Sequence, residues 1–254
     1  MNKTVLHCSV LLSTMLLIVG CSSTKKEDRY RMMSGSDLLQ EGRSSLDGGS
    51  YKESIERFDV IEARFPQGSY AEQAKLNKIY AYYLNRDHKE ALQEADNFIK
   101  LYPNHPHVDY AWYMKGLVNF DKARSIIDKF LPPDHTKVDQ KQLTDSMEAF
   151  LVILDKYPNS VYAEDAAKRV IYLRNTLAQS EIHIANFYMQ RKAYVGAANR
   201  AQYVIDNYDG SPAVQEALVI QVKAYRALGL DNMANDRLRI LQKNYPNYAG
   251  LKSL

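Results

Sequence analysis

The chain has 254 residues, of which 46% are hydrophobic and 25% charged, and its formal net charge is +3. A charge this close to zero provides no field of the kind that nucleic-acid-binding proteins use, so no nucleic acid is expected among the partners. Its two cysteines, Cys8 and Cys21, both lie near the N-terminus. The sequence after Cys21 therefore has no thiol for a disulfide, a zinc thiolate site or a cysteine nucleophile.

Residues 1–20 have the features of a secretory signal peptide. Lys3 gives a positive start, and the mostly apolar run from Val5 to Val19 is too short to span a membrane. The run ends in Leu-Ile-Val-Gly-Cys (residues 17–21), which resembles a bacterial lipobox. We therefore expect Cys21 to become the first mature residue and to carry covalent diacylglycerol and an N-acyl chain. The alternative is an ordinary signal peptide in which Cys21 is incidental.

Residues 21–33 predict a lipidated tether, because they are polar and carry many charges. A dozen extended residues reach at most about 40 Å. The residue after the cysteine is Ser22, whereas an aspartate there tends to retain a lipoprotein in the inner membrane. This resemblance predicts an anchor in the outer membrane, on its periplasmic face.

Five similar stops divide the rest of the chain, each an aromatic residue followed by proline or aspartate: Phe65-Pro66, Tyr102-Pro103, Tyr157-Pro158, Tyr208-Asp209 and Tyr245-Pro246. Proline ends a helix because it lacks an amide donor and clashes with the preceding turn. The intervals between stops, in residues, are 37, 55, 51 and 37 (103−66, 158−103, 209−158 and 246−209). Two of them lie close to the tetratricopeptide period of about 34 residues. The sequence therefore predicts an all-α fold, an α-solenoid of five tetratricopeptide-like helix pairs.

Three repeats share a tyrosine and an alanine at the offsets of the tetratricopeptide pattern: Tyr82 and Ala91, Tyr188 and Ala197, Tyr225 and Ala234. The small residue allows two helices to approach closely. Repeats one and three depart from the pattern, with Ser54 and Ser146 in place of alanine. Two helix starts are predicted from capping boxes, at Ser50 and Ser69, each with glutamate three residues later.

Residues 34–106 are assigned to repeats one and two, and residues 107–254 to repeats three to five with a short tail that should fray. Repeat three is longer than its neighbour (55 against 37), and the excess lies near residues 121–141. Such an excursion is either a binding loop or a solvated surface loop, and the sequence does not decide between them. Repeat four has no glycine or proline from Ser160 to Val195, which predicts an unusually long helix.

The sequence shows no catalytic constellation. It has no glycine-rich phosphate loop, no H-E-x-x-H and no G-x-S-x-G. His105 and His107 flank a proline without further ligands, so we expect no metal site and no cofactor beyond the lipid. A role in binding other proteins, not an enzymatic one, is predicted.

The first helix of each repeat should line the inner groove of the solenoid. The offsets place Arg43, Tyr80 and Tyr83 on this inner face. Two tyrosine rings beside a guanidinium suit an extended peptide that ends in an aromatic residue and a carboxylate. The alternative is that these tyrosines only pack between repeats.

Several stretches of the mature chain resemble the BamD family, the lipoproteins of the outer-membrane β-barrel assembly machinery: Phe65-Pro66-x-Gly68-x-Tyr70, residues 79–83, residues 113–117, residues 157–160 and Asn199-Arg200. The resemblance implies a scaffold that binds the last POTRA domain of the barrel-forming subunit BamA through its C-terminal repeats. It also implies binding of the other Bam lipoproteins, and recognition of C-terminal signals of unfolded outer-membrane proteins by repeats one and two. The family's interfacial arginine matches Arg200, beside Asn199. The competing hypothesis is a different periplasmic tetratricopeptide lipoprotein that coordinates cell-wall enzymes.

Overall fold

The computed structural model describes residues 29–125 and 140–254. The expected signal peptide, Cys21 and most of the expected excursion in repeat three lie outside these residues. Within them the secondary structure is helical, with no β-strand, so the all-α prediction is confirmed.

The helices form successive pairs, and we number them in chain order. In chain order the helices are α1 (Gly35–Asp47), α2 (Tyr51–Arg64), α3 (Ser69–Leu84), α4 (His88–Leu101), α5 (Val108–Ser125), α6 (Gln140–Lys156), α7 (Ala163–Gln190), α8 (Tyr194–Asn207), α9 (Ala213–Ala227) and α10 (Asp231–Asn244). A short 3₁₀ helix follows at Ala249–Ser253. The long helix predicted for repeat four is α7, with 28 residues.

The turn inside a helix pair depends on one residue with a left-handed backbone. Gly49, Arg86, Lys192 and Gly229 have φ values of 78°, 67°, 60° and 73°. All four stand at the same sequence distance before the stop of their repeat (66−49, 103−86, 209−192 and 246−229). Glycine adopts this conformation without a steric cost, whereas Arg86 and Lys192 do not. The repeat geometry therefore fixes this conformation even where the side chain opposes it.

The chain divides into two compact units, residues 1–94 and 95–254, and the division falls inside α4. The boundary expected from the repeats, at 106/107, lies in the turn that follows this helix. In the first unit, Leu38, Phe58, Ile61 and Ala74 form a core between α1, α2 and α3. In the second unit a longer core runs through α5 to α9, with Phe150, Ile153, Leu173, Ile182 and Val204 fully buried.

The last residues of the segment predicted as a tether belong to the fold. Residues 29–32 are helical, and Tyr30 is 6% exposed in the first core. Arg64 donates a hydrogen bond to the Tyr30 carbonyl. The guanidinium of Arg57 lies 5.7 Å from the centroid of the Tyr30 ring. The sequence did not predict the burial of Tyr30, because the residues around it are mostly polar.

The expectation that the C-terminal tail frays is wrong. Tyr248, Leu251 and Leu254 pack against a cluster that contains Leu218 and Leu241. The tail thereby covers apolar surface on α9 and α10 and forms one wall of a cavity described below.

Candidate partner-binding surfaces

The two helices of a pair pack closely where a small residue is buried between them. Ala91, Ala197 and Ala234 are fully buried, as the repeat pattern predicts. In the two departing repeats the serine is also fully buried. Ser54 Oγ donates to the Gly42 carbonyl at 2.8 Å, and Ser146 Oγ to the Gly116 carbonyl at 2.9 Å. A buried hydroxyl is tolerated at this position because it has a carbonyl partner.

Arg43 lies at the surface of the first unit, where α1 faces α3. Its Nη2 donates to Gln73 Oε1 at 2.9 Å. Both residues line a cavity of about 460 Å³ whose apolar wall includes Leu39 and the ring of Tyr70. Tyr70 is 37% exposed and lies 5.8 Å from the ring of Phe65, centroid to centroid. The arginine is thus held by α3 beside an accessible aromatic ring, an arrangement suited to a carboxylate and a neighbouring apolar side chain.

Tyr80 and Tyr83 form a stacked pair on α3. Their ring centroids are 6.3 Å apart at an interplanar angle of 25°, and Tyr80 is 39% exposed. Gln73, the partner of Arg43, precedes Tyr80 by seven residues, two turns of the same helix. The tyrosine pair therefore lies on the helix face that carries the Arg43 contact, about 10 Å further along. The aromatic residue that shares a cavity with Arg43 is Tyr70, which sequence reasoning missed as a site residue.

The other side of α3 is fixed by a buried lysine that pairs with carboxylates of α2. Lys78 is 8% exposed at its side chain, and its Nζ lies 2.9 Å from both Asp59 and Glu62 of α2. Burial alone would lower the pKa of Lys78, but hydrogen bonds to these two carboxylates raise it above its usual value. Because this lysine remains charged and multiply paired, it holds α3 against α2 and leaves the Tyr80 face exposed.

In the second unit, Asn199 and Arg200 lie on α8 and are exposed to solvent. The Arg200 side chain is 44% exposed, and its Nη1 donates to Glu181 Oε2 of α7 at 3.0 Å. Glu181 is only 7% exposed. The guanidinium therefore compensates a buried carboxylate while presenting part of itself to solvent. Sequence reasoning located the arginine but did not anticipate this partner.

Apolar side chains accompany Asn199 along α8. Val195 is 60% exposed and Tyr203 is 46% exposed. They precede and follow Asn199 by four residues, so the three lie on one stripe of the helix. Together with Arg200 they form a mixed apolar and charged surface, of the composition common at protein interfaces.

The described residues contain no group of three or more potential metal-ligating side chains. His105 and His107 lie close together, with ring centroids 5.6 Å apart. Within residues 29–125 and 140–254, no helix has the length and apolar character needed to cross a membrane.

Comparison with known sequences gives an extended match. Residues 31–247 match the family described as YfiO, outer membrane lipoprotein. The chain is 36% identical over 215 residues to "Outer membrane protein assembly factor BamD" of Neisseria meningitidis serogroup B, covering 85% of this chain and 80% of that protein. It is 34% identical to the protein of the same name from Vibrio cholerae, covering 90% and 94%, and 35% identical to that of Haemophilus influenzae, covering 92% and 88%.

Comparison with solved structures finds helical repeat proteins at low identity. The chain is similar to TTC0263, a thermophilic TPR protein of Thermus thermophilus, at 12% identity and a TM-score of 0.37, covering 87% of this chain and 96% of that one. It is also similar to PilW, a type IV pilus biogenesis factor, at 17% identity and a TM-score of 0.31, covering 86% and 97%. Superpositions this loose support no argument about function.

Proposed function

The chain belongs to the YfiO family of outer membrane lipoproteins, and from this premise we propose that it is a scaffold subunit of the machinery that assembles outer-membrane proteins. The observation that carries the proposal is the match of 32–36% identity to proteins named outer membrane protein assembly factor BamD, which extends over most of the chain. The paired helices suit this role, because helical repeats present long surfaces to other proteins. The proposed role requires neither a catalytic site nor a metal.

The proposed location is the periplasmic face of the outer membrane, with the lipid on Cys21 as the anchor. Two or more acyl chains give stable attachment, whereas one gives only reversible binding. The burial of Tyr30 supports a short connection. From Cys21 to Arg29 the backbone spans eight residues, or at most about 29 Å, so the first unit would remain close to the membrane surface.

The proposed contact with the POTRA region of BamA involves Arg200 and Asn199. The exposed part of the Arg200 guanidinium can bind an acidic group of the partner, and the neighbouring Val195 and Tyr203 supply apolar area. A surface ion pair alone contributes only about 0.2–1 kcal/mol, so the apolar neighbours would carry much of the affinity. Other Bam lipoproteins are further proposed partners of the same C-terminal repeats.

The proposed site for C-terminal signals of unfolded outer-membrane proteins is the α1 and α3 face of the first unit. Arg43 would bind the terminal carboxylate, Tyr70 would contact the last side chain, and the Tyr80–Tyr83 stack would contact residues further back. An extended peptide covers the roughly 10 Å between the two groups with about three residues.

Affinity purification from solubilised outer membrane tests the proposed function. The tagged protein should retain a large barrel-forming protein with POTRA domains, together with smaller lipoproteins. Retention of peptidoglycan synthases or hydrolases alone would instead favour the competing role in coordinating cell-wall enzymes.

A further inference from the structure

A cavity in the second unit belongs to none of the surfaces described above. It has a volume of about 580 Å³ and lies between α7, α9 and the C-terminal tail. Its walls include Met189 of α7, Val219 and Ile220 of α9, and the ring of Tyr248 from the tail. Residues of α8, which carries Arg200, do not line it. The volume lies within the range of about 300–1,000 Å³ that ligand sites occupy.

This cavity occupies the same place in the repeat as the Arg43 cavity of the first unit. Asn186 Nδ2 donates to Glu216 Oε1 at 3.0 Å, across an interval of 30 residues. Arg43 and Gln73 make the equivalent bond at 2.9 Å across the same interval. Arg43 and Asn186 also stand at the same sequence distance before the stop of their repeat (66−43 and 209−186). The fold thus builds the same cavity twice, each time with different side chains.

The charges on the rim of the second cavity are a carboxylate and an ammonium. Among the described residues that line it, Glu216 and Lys223 carry the charge, and both are exposed. The structure records no partner for Lys223 in the described part of the chain, and Glu216 has only the bond from Asn186. They are seven residues apart on α9, so their Cα atoms lie about 10.5 Å apart along one helix face.

We propose that this cavity binds an extended peptide segment with a basic and an acidic side chain three residues apart and an apolar side chain between them. Three extended residues span about 10 Å, which matches the separation of Glu216 and Lys223. The apolar side chain would contact Val219, Ile220 and Tyr248 between the two charges. Unlike the Arg43 cavity, this site needs no free C-terminus in its ligand. The inference does not depend on the proposed role in barrel assembly.

Three labelled peptides test the inference by fluorescence anisotropy with the full-length, detergent-solubilised lipoprotein. Each is a nonapeptide, acetylated and amidated, with Arg-Leu-Thr-Glu, Arg-Leu-Thr-Arg or Glu-Leu-Thr-Glu at its centre. The Arg-Leu-Thr-Glu peptide should bind the unaltered protein about fivefold more tightly than the other two, the ratio that about 1 kcal/mol per exposed ion pair gives. Equal affinities, or no binding of any peptide, would overturn the proposal.

Changes at the rim make the test specific for this cavity. Glu216→Lys should make Glu-Leu-Thr-Glu the preferred peptide, and Lys223→Glu should make Arg-Leu-Thr-Arg preferred. Glu216→Gln should reduce the preference over Glu-Leu-Thr-Glu, and Lys223→Met the preference over Arg-Leu-Thr-Arg, to about twofold or less, while each leaves the other preference near fivefold. Arg226→Glu, an exposed charge change on α9 outside the cavity, should leave the order unchanged, as should Arg43→Gln in the first unit. An unchanged order of peptides in the rim variants would contradict the proposal.

Discussion

The hydroxyl of Ser54 donates to the carbonyl oxygen of Gly42 at 2.8 Å, across the first helix pair. The ring of Phe58 packs against Gly42 so closely that an added Cβ would lie 2.5 Å from its Cε1 atom. Repeat three reproduces both features with Ser146, Gly116 and Phe150. Serine therefore replaces the usual alanine in those repeats whose first helix contributes a glycine, and the two substitutions form one packing unit.

Gly42→Ala should destabilise the protein by about 1–3 kcal/mol, because the new methyl group would overpack against Phe58. Gly196→Ala is the matched control. Its added Cβ would have Tyr188 Cδ2 as nearest neighbour at 3.3 Å, and we expect a change below about 1 kcal/mol. Urea unfolding followed by circular dichroism measures both. Equal losses for the two variants would contradict this account of the helix contact.

Arg200→Gln should lower the free energy of unfolding by about 1–3 kcal/mol, because the buried carboxylate of Glu181 loses its charged donor. The double variant Arg200→Gln with Glu181→Gln should recover most of this loss, since it leaves no unpaired charge. Chemical denaturation of the single and double variants gives the coupling between the two side chains.

The same double variant separates folding from binding. If Arg200 contacts the barrel-forming subunit, the refolded and stable double variant should still co-purify less of that subunit than the unaltered protein does. Full retention by the double variant would remove Arg200 from the proposed interface and leave the fold as described.

Arg43→Gln should weaken binding of a peptide that ends in an aromatic residue and a free carboxylate by about tenfold, through loss of a charged hydrogen bond. The amidated form of this peptide should bind the unaltered protein more weakly and should be insensitive to Arg43→Gln.

Tyr80→Ala combined with Tyr83→Ala should weaken both peptide forms, whereas Tyr203→Ala in the second unit should weaken neither. Photo-crosslinking yield or anisotropy reports these differences, and equal binding of the acid and amide forms by the unaltered protein would refute the carboxylate assignment.

Alkaline pH should weaken the packing of α5 on α7 through Tyr113. Burial, together with its hydrogen bond to Asp165 Oδ2 at 2.8 Å, raises the pKa of Tyr113 to about 12. An unfolded tyrosine has a pKa of about 10, so the native state retains this proton between about pH 10 and 12 and its stabilisation is lost as pH rises through that window. Tyr113→Phe should therefore show a shallower decline of unfolding free energy from about pH 9.5 to 11.5. Parallel profiles for both proteins would contradict this role of the hydroxyl.

The sequence was most informative where one residue type has one physical effect. Proline and glycine stops predicted where the helix pairs end, and buried alanines marked where helices meet. The same contact locates the additional residues of repeat three. The glycine and the serine that it joins are 12 residues apart in repeat one (Gly42 and Ser54) and 30 residues apart in repeat three (Gly116 and Ser146). The extra length therefore lies between Gly116 and Ser146, within the repeat to which the spacing of the stops assigned it.

Features that depend on contacts between distant residues were not predictable from local pattern. The two predicted helix starts are confirmed, since α2 begins directly after Ser50 and α3 begins at Ser69, but the capping bonds are not: Ser50 makes no side-chain cap bond, and the residue at the cap of α3 is Gly68. Helix ends here are set by the repeat geometry, which overrides the preferences of single residues. Likewise, Arg200 and Glu181 are far apart in sequence, and no periodicity indicates that their side chains meet. Counting back from each stop would have paired Glu216 of the second cavity with Gln73 of the first, since the two stand at equal distances before their stops (246−216 and 103−73).

The most direct test of the proposed role is photo-crosslinking in living cells, with a photoreactive amino acid in place of Asn199 on α8. The proposed function predicts a crosslink from this position to a barrel-forming outer-membrane protein with POTRA domains, and none to it from Lys89, an exposed position in the first unit. Crosslinks from Asn199 to cell-wall enzymes instead, or to no protein at all, would contradict it.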